Sequence, residues 1–336
     1  MSLAVARARG DRRSVGRAQG DAFAPLISSA VDFYLDLGRR NGWDLAAMEA
    51  RSLKLIDGAR GRTPGAVDEI EGIAEGAGLD LATIAILNCL EEVWPAEACT
   101  TMVADRFLMH AEQWYGGHDG VGIVVAEPDD GPAFVSPTCV GFLPAVGLNA
   151  SGFAQGIDSL TAHDDGDGVP RVIVSREALG ADGLDRAMAA ARMPGRAGGY
   201  AHVFAAPNTN VTLETSRTRA FVLDDERAHT NHYLALKTVS VGSAVSDGSL
   251  SRLQRARDLL VHGPPSSLED CMRLLGDHEG SPQSICLHGA GEEDATVFGM
   301  ACDVVEGVMI VSDGAPCEGK WTEVSVPGYR SPVDVV

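Results

Sequence analysis

The sequence predicts an α+β fold with layered sheets, and three observations carry that prediction. The first quarter of the chain shows the three- and four-residue apolar spacing of helices. From Cys99 onward, short β-rich runs with period two alternate with Gly- and Asp-rich turns. Strand blocks and helix blocks are segregated along the chain, a pattern that argues against a doubly wound parallel sheet. With 336 residues, 45% of them hydrophobic but only 5% aromatic, the core must rest on Ala, Val, Leu and Ile. The expected organisation is one structural domain with three parts: a disordered tail over 1–20, a helical precursor segment over 21–98, and a catalytic region over 99–336.

In order along the chain, Leu26, Ile27, Ala30, Phe33, Tyr34 and Leu37 mark a helix over Pro25–Leu37. Asn41-Gly42 breaks it, and Asp44 caps a second helix running to Ile56. A third helix covers Ala66–Gly76. A fourth runs from an Asp80 cap to Glu92. Strands are expected at Thr100–Ala104, Phe107–Trp114, Gly122–Ala126, Ala133–Val140 and Gly152–Ile157. Helices at Pro170–Leu179 and Leu184–Met193 follow, then strands at Ala201–Ala205, Val211–Thr215 and Ala220–Leu223. The last blocks are helices at Leu250–Leu260 and Leu268–Leu275, the latter capped by Ser267, and strands at Thr296–Val304, Val308–Ser312 and Thr322–Val326. Arg7, Arg9, Arg12, Arg13 and Arg17 make the N-terminus polar and charged, the reason for reading it as a tail.

A formal net charge of −20 argues against a nucleic-acid partner, since phosphate binding needs clustered Lys and Arg. The expectation is a chain with neither nucleic-acid nor membrane partners, since no apolar run is long enough to span a bilayer. Seven cysteines without a CxxC pair fit neither a disulfide framework nor a zinc site at recognisable spacing, so the reading is a reducing, cytoplasmic compartment with no metal and no cofactor. His229 and His232 are three apart but lack two further ligands at sensible spacing. Cys286 and His288 lie far along the chain, and nothing in the sequence joins them to the same site. Asp277-His278 near Cys286 leaves open a Cys/His protease that needs no processing.

Cys99 stands at the helix-to-strand seam. Cutting the bond between Ala98 and Cys99 would create an N-terminus bearing a thiol and a free amine. The thiolate is the nucleophile, and an α-amine with a reference pKa of about 8 can take its proton. The plain structural alternative is a buried cysteine at the start of a strand.

Several stretches resemble one family in order: Glu71 to Leu79 with Ile86-Leu87-Asn88, Cys99-Thr100-Thr101, Gly168 and Pro170 with Arg176 and Leu179, His229-Thr230-Asn231-His232, Ser284-Ile285-Cys286 with His288, and Gly314 with Pro316-Cys317. Over roughly Ile70 to Cys317 the chain resembles the autoproteolytic N-terminal-nucleophile (Ntn) cysteine hydrolases that include isopenicillin N acyltransferase, related to choloylglycine hydrolase. The resemblance implies a four-layer αββα sandwich, self-cleavage before Cys99, and amidase, peptidase or acyltransferase chemistry through a thioester on that residue. It implies a small-molecule amide or acyl substrate, with acyl-CoA among the donors. It also gives Asn231 the role of an oxyanion donor.

Three positions depart from the family pattern. Ala98 replaces the usual glycine before the cysteine. Tyr115 stands where relatives carry an aspartate, with Asp119 a substitute a few residues on. Asp158 replaces an asparagine in Asp158-Ser159-Leu160, and a carboxylate donates a hydrogen bond only when protonated. Thr101, beside the nucleophile, is a further supporting residue. The rival reading from these departures is an uncleaved relative used as a binding or scaffold protein.

Overall fold

The structure is a computed structural model that describes residues 3–94, 99–115, 120–237, 246–289 and 294–330. Among them the strands form two sheets. The first orders as β1 (Ala4–Gly10), β4 (Val121–Pro128), β5 (Phe134–Cys139), β6 (Gly147–Asn149), β7 (Phe153–Leu160), β8 (Gly199–Ala206), β9 (Thr209–Thr215) and β10 (Ala220–Leu223). The second orders as β11 (Ala228–His229), β2 (Cys99–Ala104), β3 (Phe107–Tyr115), β12 (Asp294–Asp303), β13 (Val308–Ser312) and β14 (Trp321–Ser325). Neighbours pair antiparallel except β1 with β4, which run parallel.

The inner face of the second sheet carries Val103, Leu108, Phe298, Met300 and Cys302, which join the core shared with the first sheet. Its outer face carries Met102, Phe107, Met109 and Ala301, which pack against α8 (Asp247–His262) and α9 (Leu268–Leu275). The strand pleat explains the division, because successive side chains point to opposite faces. Outside the first sheet lie α1 (Arg12–Arg40), α2 (Leu45–Arg60), α3 (Pro64–Ala77), α4 (Leu81–Asn88), α6 (Arg171–Leu179) and α7 (Leu184–Ala191). Phe153, Phe204 and Leu213 meet Ala178, Ala187 and Ala191 there. The result is helices, sheet, sheet, helices: the expected αββα order.

The tail expected over 1–20 is instead β1 and the first turns of α1. Ala6 and Ala8 are buried while Arg7 and Arg9 point outward, a period-two pattern made inconspicuous by small residues. Asp11 caps α1 by accepting a hydrogen bond from Ser14 N at 2.8 Å, and the helix continues through Pro25. Glycines hold α1 against α3. A Cβ on Gly16 or Gly20 would lie 2.0 or 2.4 Å from the carbonyl oxygen of Glu69 or Ile73, and one on Gly72 or Gly76 would meet Arg13 O or Arg17 O at 2.1 or 2.2 Å. Two small-xxx-small stripes thus let the backbones touch.

The fourth predicted helix breaks at Cys89 into α4 and a short α5 (Leu90–Val93). Asn88 marks the break. Its Nδ2 donates to Ile84 O and Gly141 O, both at 2.9 Å, and its Oδ1 accepts from Leu143 N at 2.8 Å. The family-pattern residue Arg176 is fully buried and pairs with buried Glu69 at 3.0 Å, tying α6 to α3. β6 and β11, short and lacking a repeating pattern, were not expected from the sequence.

Candidate active site

Strand register builds the site. Across the β2–β3 ladder Cys99 faces Glu112 and Thr101 faces His110. Period two therefore places all four side chains on one patch of the inner face. Cys99 Sγ donates to Glu112 Oε1 at 3.5 Å, Glu112 Oε2 lies 3.0 Å from His110 Nε2, and His110 Nδ1 lies 2.9 Å from Thr101 Oγ1. Thr101 also donates to Asp158 Oδ1 on β7 at 3.2 Å, which links the two sheets. That contact needs Gly156, since a Cβ there would sit 2.6 Å from Thr101 Cγ2.

The outer face supplies a second grip. Arg252 of α8 is buried and donates through Nη1 to Cys99 O and, at 2.9 Å, to Thr100 Oγ1. Its Nη2 donates to Asn231 Oδ1 at 3.0 Å. Asn231 Oδ1 also accepts from Cys99 N at 2.9 Å. The sequence reading gives the Asn231 amide to an oxyanion. In the structure its carbonyl oxygen faces the nucleophile's nitrogen, and its Nδ2 donates to Ser159 O at 3.3 Å. An amide nitrogen carries two protons, and among the described residues the second has no acceptor.

Burial, then the negative charges of Glu112 and Asp158, hold the Cys99 thiol well above its ordinary range. Burial lifts Asp158 to about 6 against the opposing pull of His229 and His110, and its Oδ2 accepts no hydrogen bond among the described residues. Burial disfavours charge on His229, but its hydrogen bond to Glu214 at 3.1 Å and the carboxylates of Asp158 and Glu214 outweigh that and raise its pKa. Glu214 in turn accepts from the backbone of Leu234, Ala235 and Leu236. His232 is lowered to about 4 by burial and bonds Ser249 Oγ at 2.8 Å. Both histidines thus shape the loop that presents Asn231.

A cavity of about 80 Å³ opens beside Cys99. Its walls include Leu87, Trp114, Phe142, Leu143, Val146, Ile157 and Phe298, with Glu112, Ser159 and Tyr200 as polar members. From α5, the Glu91 carboxylate enters it and accepts from Ser159 Oγ and Tyr200 OH. Burial raises Glu91 to about 8, against the attraction of Arg171. Glu92 accepts from Arg171 N at 2.9 Å.

The three departures resolve unevenly. Tyr115 accepts from Trp94 Nε1 at 2.7 Å and stacks edge-on against Tyr34 and Trp114; the carboxylate at the sulfur is Glu112, three residues earlier. Asp158 sits between the sheets as a hydrogen-bond acceptor. Ala98 and Asp119 lie outside the described residues. Arg252, Glu112, His110 and Glu91 were missed from the sequence. For Glu112 and His110 the signal was present, since a two-residue turn after Ala104 fixes the pairing of β2 with β3. Arg252 carries no such signal among its neighbours Arg255 and Arg257. Cys99 Sγ, a His110 ring nitrogen and a Glu112 oxygen lie within 4.8 Å of one another, a three-donor set, and they bond one another in sequence. No helix among the described residues is long and apolar enough to cross a membrane.

Among solved structures, the chain is similar to a mutant of conjugated bile acid hydrolase from Clostridium perfringens, with a TM-score of 0.46 and 7% identity over 68% of this chain and 92% of that one. A second variant of the same hydrolase gives 0.45, 7%, 68% and 92%. Penicillin V acylase from Agrobacterium tumefaciens gives 0.39 and 9%, over 64% of this chain and 82% of that one. No curated protein sequence matches the chain. The family model for acyl-coenzyme A:6-aminopenicillanic acid acyl-transferase matches residues 102–312, well over half of the 336 residues. On that match, the chain belongs to the acyl-coenzyme A:6-aminopenicillanic acid acyl-transferase family.

Proposed function

We propose that the chain cuts itself between Ala98 and Cys99 and then uses Cys99 as an N-terminal nucleophile on an amide or acyl bond of a small-molecule substrate. One observation carries the reading: the sulfur, nitrogen and carbonyl oxygen of Cys99 each have a side-chain partner, in Glu112, Asn231 and Arg252. A merely structural cysteine needs none of these.

Before cleavage there is no α-amine to act as base, and the thiol is held protonated by its surroundings. Glu112 takes the sulfur proton and His110 shares the charge. The thiolate attacks the carbonyl carbon of residue 98, the C–N bond breaks, and the nitrogen leaves as the amine of Cys99 with the proton that Glu112 took from sulfur. Water then hydrolyses the thioester, freeing a carboxylate on residue 98 and restoring the thiol. In the mature site Asn231 Oδ1 orients that amine, which serves as base for attack on substrate and as acid to its leaving amine. The second Asn231 proton is the oxyanion donor. Water or an amine accepts the acyl group. The largely apolar walls suit an apolar acyl chain, and acyl-CoA is a donor of the right chemistry.

The test is mass spectrometry of the protein after exposure to acyl-CoA thioesters and N-acyl amides. The expected result is an acyl adduct on the Cys99 peptide that hydroxylamine removes. Absence of any adduct on Cys99, with the adduct on another cysteine, would overturn the assignment.

A further inference from the structure

Far from Cys99 in sequence, four ligand-type side chains meet at one point. His278, Cys286 and His288 belong to the segment joining α9 to β12, and Cys317 to the 3₁₀ turn Pro316–Glu318 between β13 and β14. Their ligand atoms all lie within 4.8 Å of one another. His288 Nε2 is 3.1 Å from His278 Nε2, 3.2 Å from Cys317 Sγ and 3.7 Å from Cys286 Sγ.

We propose that His278, Cys286, His288 and Cys317 form a structural zinc site that clamps the α9–β12 segment to the β13–β14 turn. Zinc takes nitrogen at about 2.0–2.1 Å and sulfur at about 2.3 Å, so the edges of its tetrahedron are about 3.3 Å for N–N, 3.6 Å for N–S and 3.8 Å for S–S. The two distances from His288 Nε2 to sulfur, 3.2 and 3.7 Å, bracket the N–S edge, and the N–N distance of 3.1 Å falls just short of its own. Two imidazole nitrogens facing one another with two sulfurs beside them give a convergent set of lone pairs, which a cation satisfies and protons satisfy poorly. A Cys₂His₂ set is closed, leaving no position for substrate.

The surroundings hold the donors in place. His288 turns its other ring nitrogen toward Glu318 at 3.7 Å, the carboxylate–histidine arrangement that fixes tautomer and ring direction at metal sites. Cys286 N donates to Asp277 O at 2.9 Å, and Leu287 N to Thr296 Oγ1 at 2.8 Å. On the other side of the segment Gln113 Nε2 donates to Ser284 O and Ile285 O at 3.1 and 2.8 Å. The clamp therefore braces the strand residue next to Glu112. Zinc binding expels the protons of both thiols. The set escapes a spacing search because Cys317 is 29 residues beyond His288 and lies in another turn.

The full-length protein, purified without chelator or affinity metal and then dialysed with zinc chloride and washed, should contain one zinc per chain. Replacement by cobalt should give the intense visible absorption of tetrahedral thiolate coordination. His278→Ala and Cys317→Ser, both at exposed positions, should lose the metal and the cobalt spectrum yet remain folded. Chelator should lower the melting temperature of the unmodified protein by several degrees and leave that of the variants unchanged. Zinc-free protein after reconstitution, a cobalt spectrum without sulfur charge transfer, or a Cys286–Cys317 disulfide in the intact mass would each overturn the proposal. None of these readouts depends on Cys99 or on turnover.

Discussion

Cys99 Sγ lies 3.5 Å from Glu112 Oε1, directly across the β2–β3 ladder. A carboxylate on a buried thiol is the arrangement that self-cleavage needs before an α-amine exists. Glu112→Gln keeps the shape and removes the base. Processing should slow by about a hundred- to ten-thousandfold, the range for losing a general base. Melting temperature should change little. A time course of fragment appearance after synthesis checks this, and cleavage at the unmodified rate would remove Glu112 from the mechanism.

Asn231→Ala removes the acceptor for Cys99 N and Arg252 Nη2. The two orphaned donors should cost about 1–3 kcal/mol of stability each, and turnover should fall by about a hundred- to a thousandfold. Asn231→Asp restores an acceptor but not the donor, so it should recover stability without recovering turnover. Thermal melts and amidase rates on both variants separate the two contributions.

Arg252→Lys tests whether a point charge suffices. The guanidinium reaches Cys99 O, Thr100 Oγ1 and Asn231 Oδ1 at once, which one ammonium group cannot reproduce. Processing should slow, with Arg252→Ala slower still and less stable. Equal rates for Lys and Arg would mean that the fork geometry does not matter.

Glu91 makes the uncleaved chain sensitive to pH. Its folded-state pKa of about 8 lies above the ordinary 4.5, so the folded state binds the proton more tightly than the unfolded one. Stability from this group is present below about 4.5 and is lost as pH rises toward 8. In a Cys99→Ala background, which keeps the segment attached, adding Glu91→Gln should flatten the fall in melting temperature between those limits. Parallel curves for the two proteins would contradict the burial of that carboxylate.

Much of the fold was legible because the signals were local. The caps at Asp44 and Ser267 appear where the sequence placed them, and each accepts a backbone hydrogen bond. The β1 strand was not legible, because Ala6 and Ala8 carry too little hydrophobicity to show a period among arginines. Of the site, Cys99 and Asn231 were visible through their motifs and do meet, at 2.9 Å. Which atom of Asn231 faces Cys99 was not visible, since a motif fixes position but not amide orientation. Arg252 was hidden because its contact depends on α8 crossing beneath β2, a tertiary event with no local signature. The clustering of His278 and Cys317 is of the same kind.

Self-cleavage before Cys99 is tested by intact mass and N-terminal sequencing of freshly purified protein, beside Cys99→Ala. The expected result is two fragments, the larger beginning Cys99-Thr100-Thr101, and a single uncut chain for the variant. A single chain in the unmodified protein, or a large fragment with a different first residue, would contradict it.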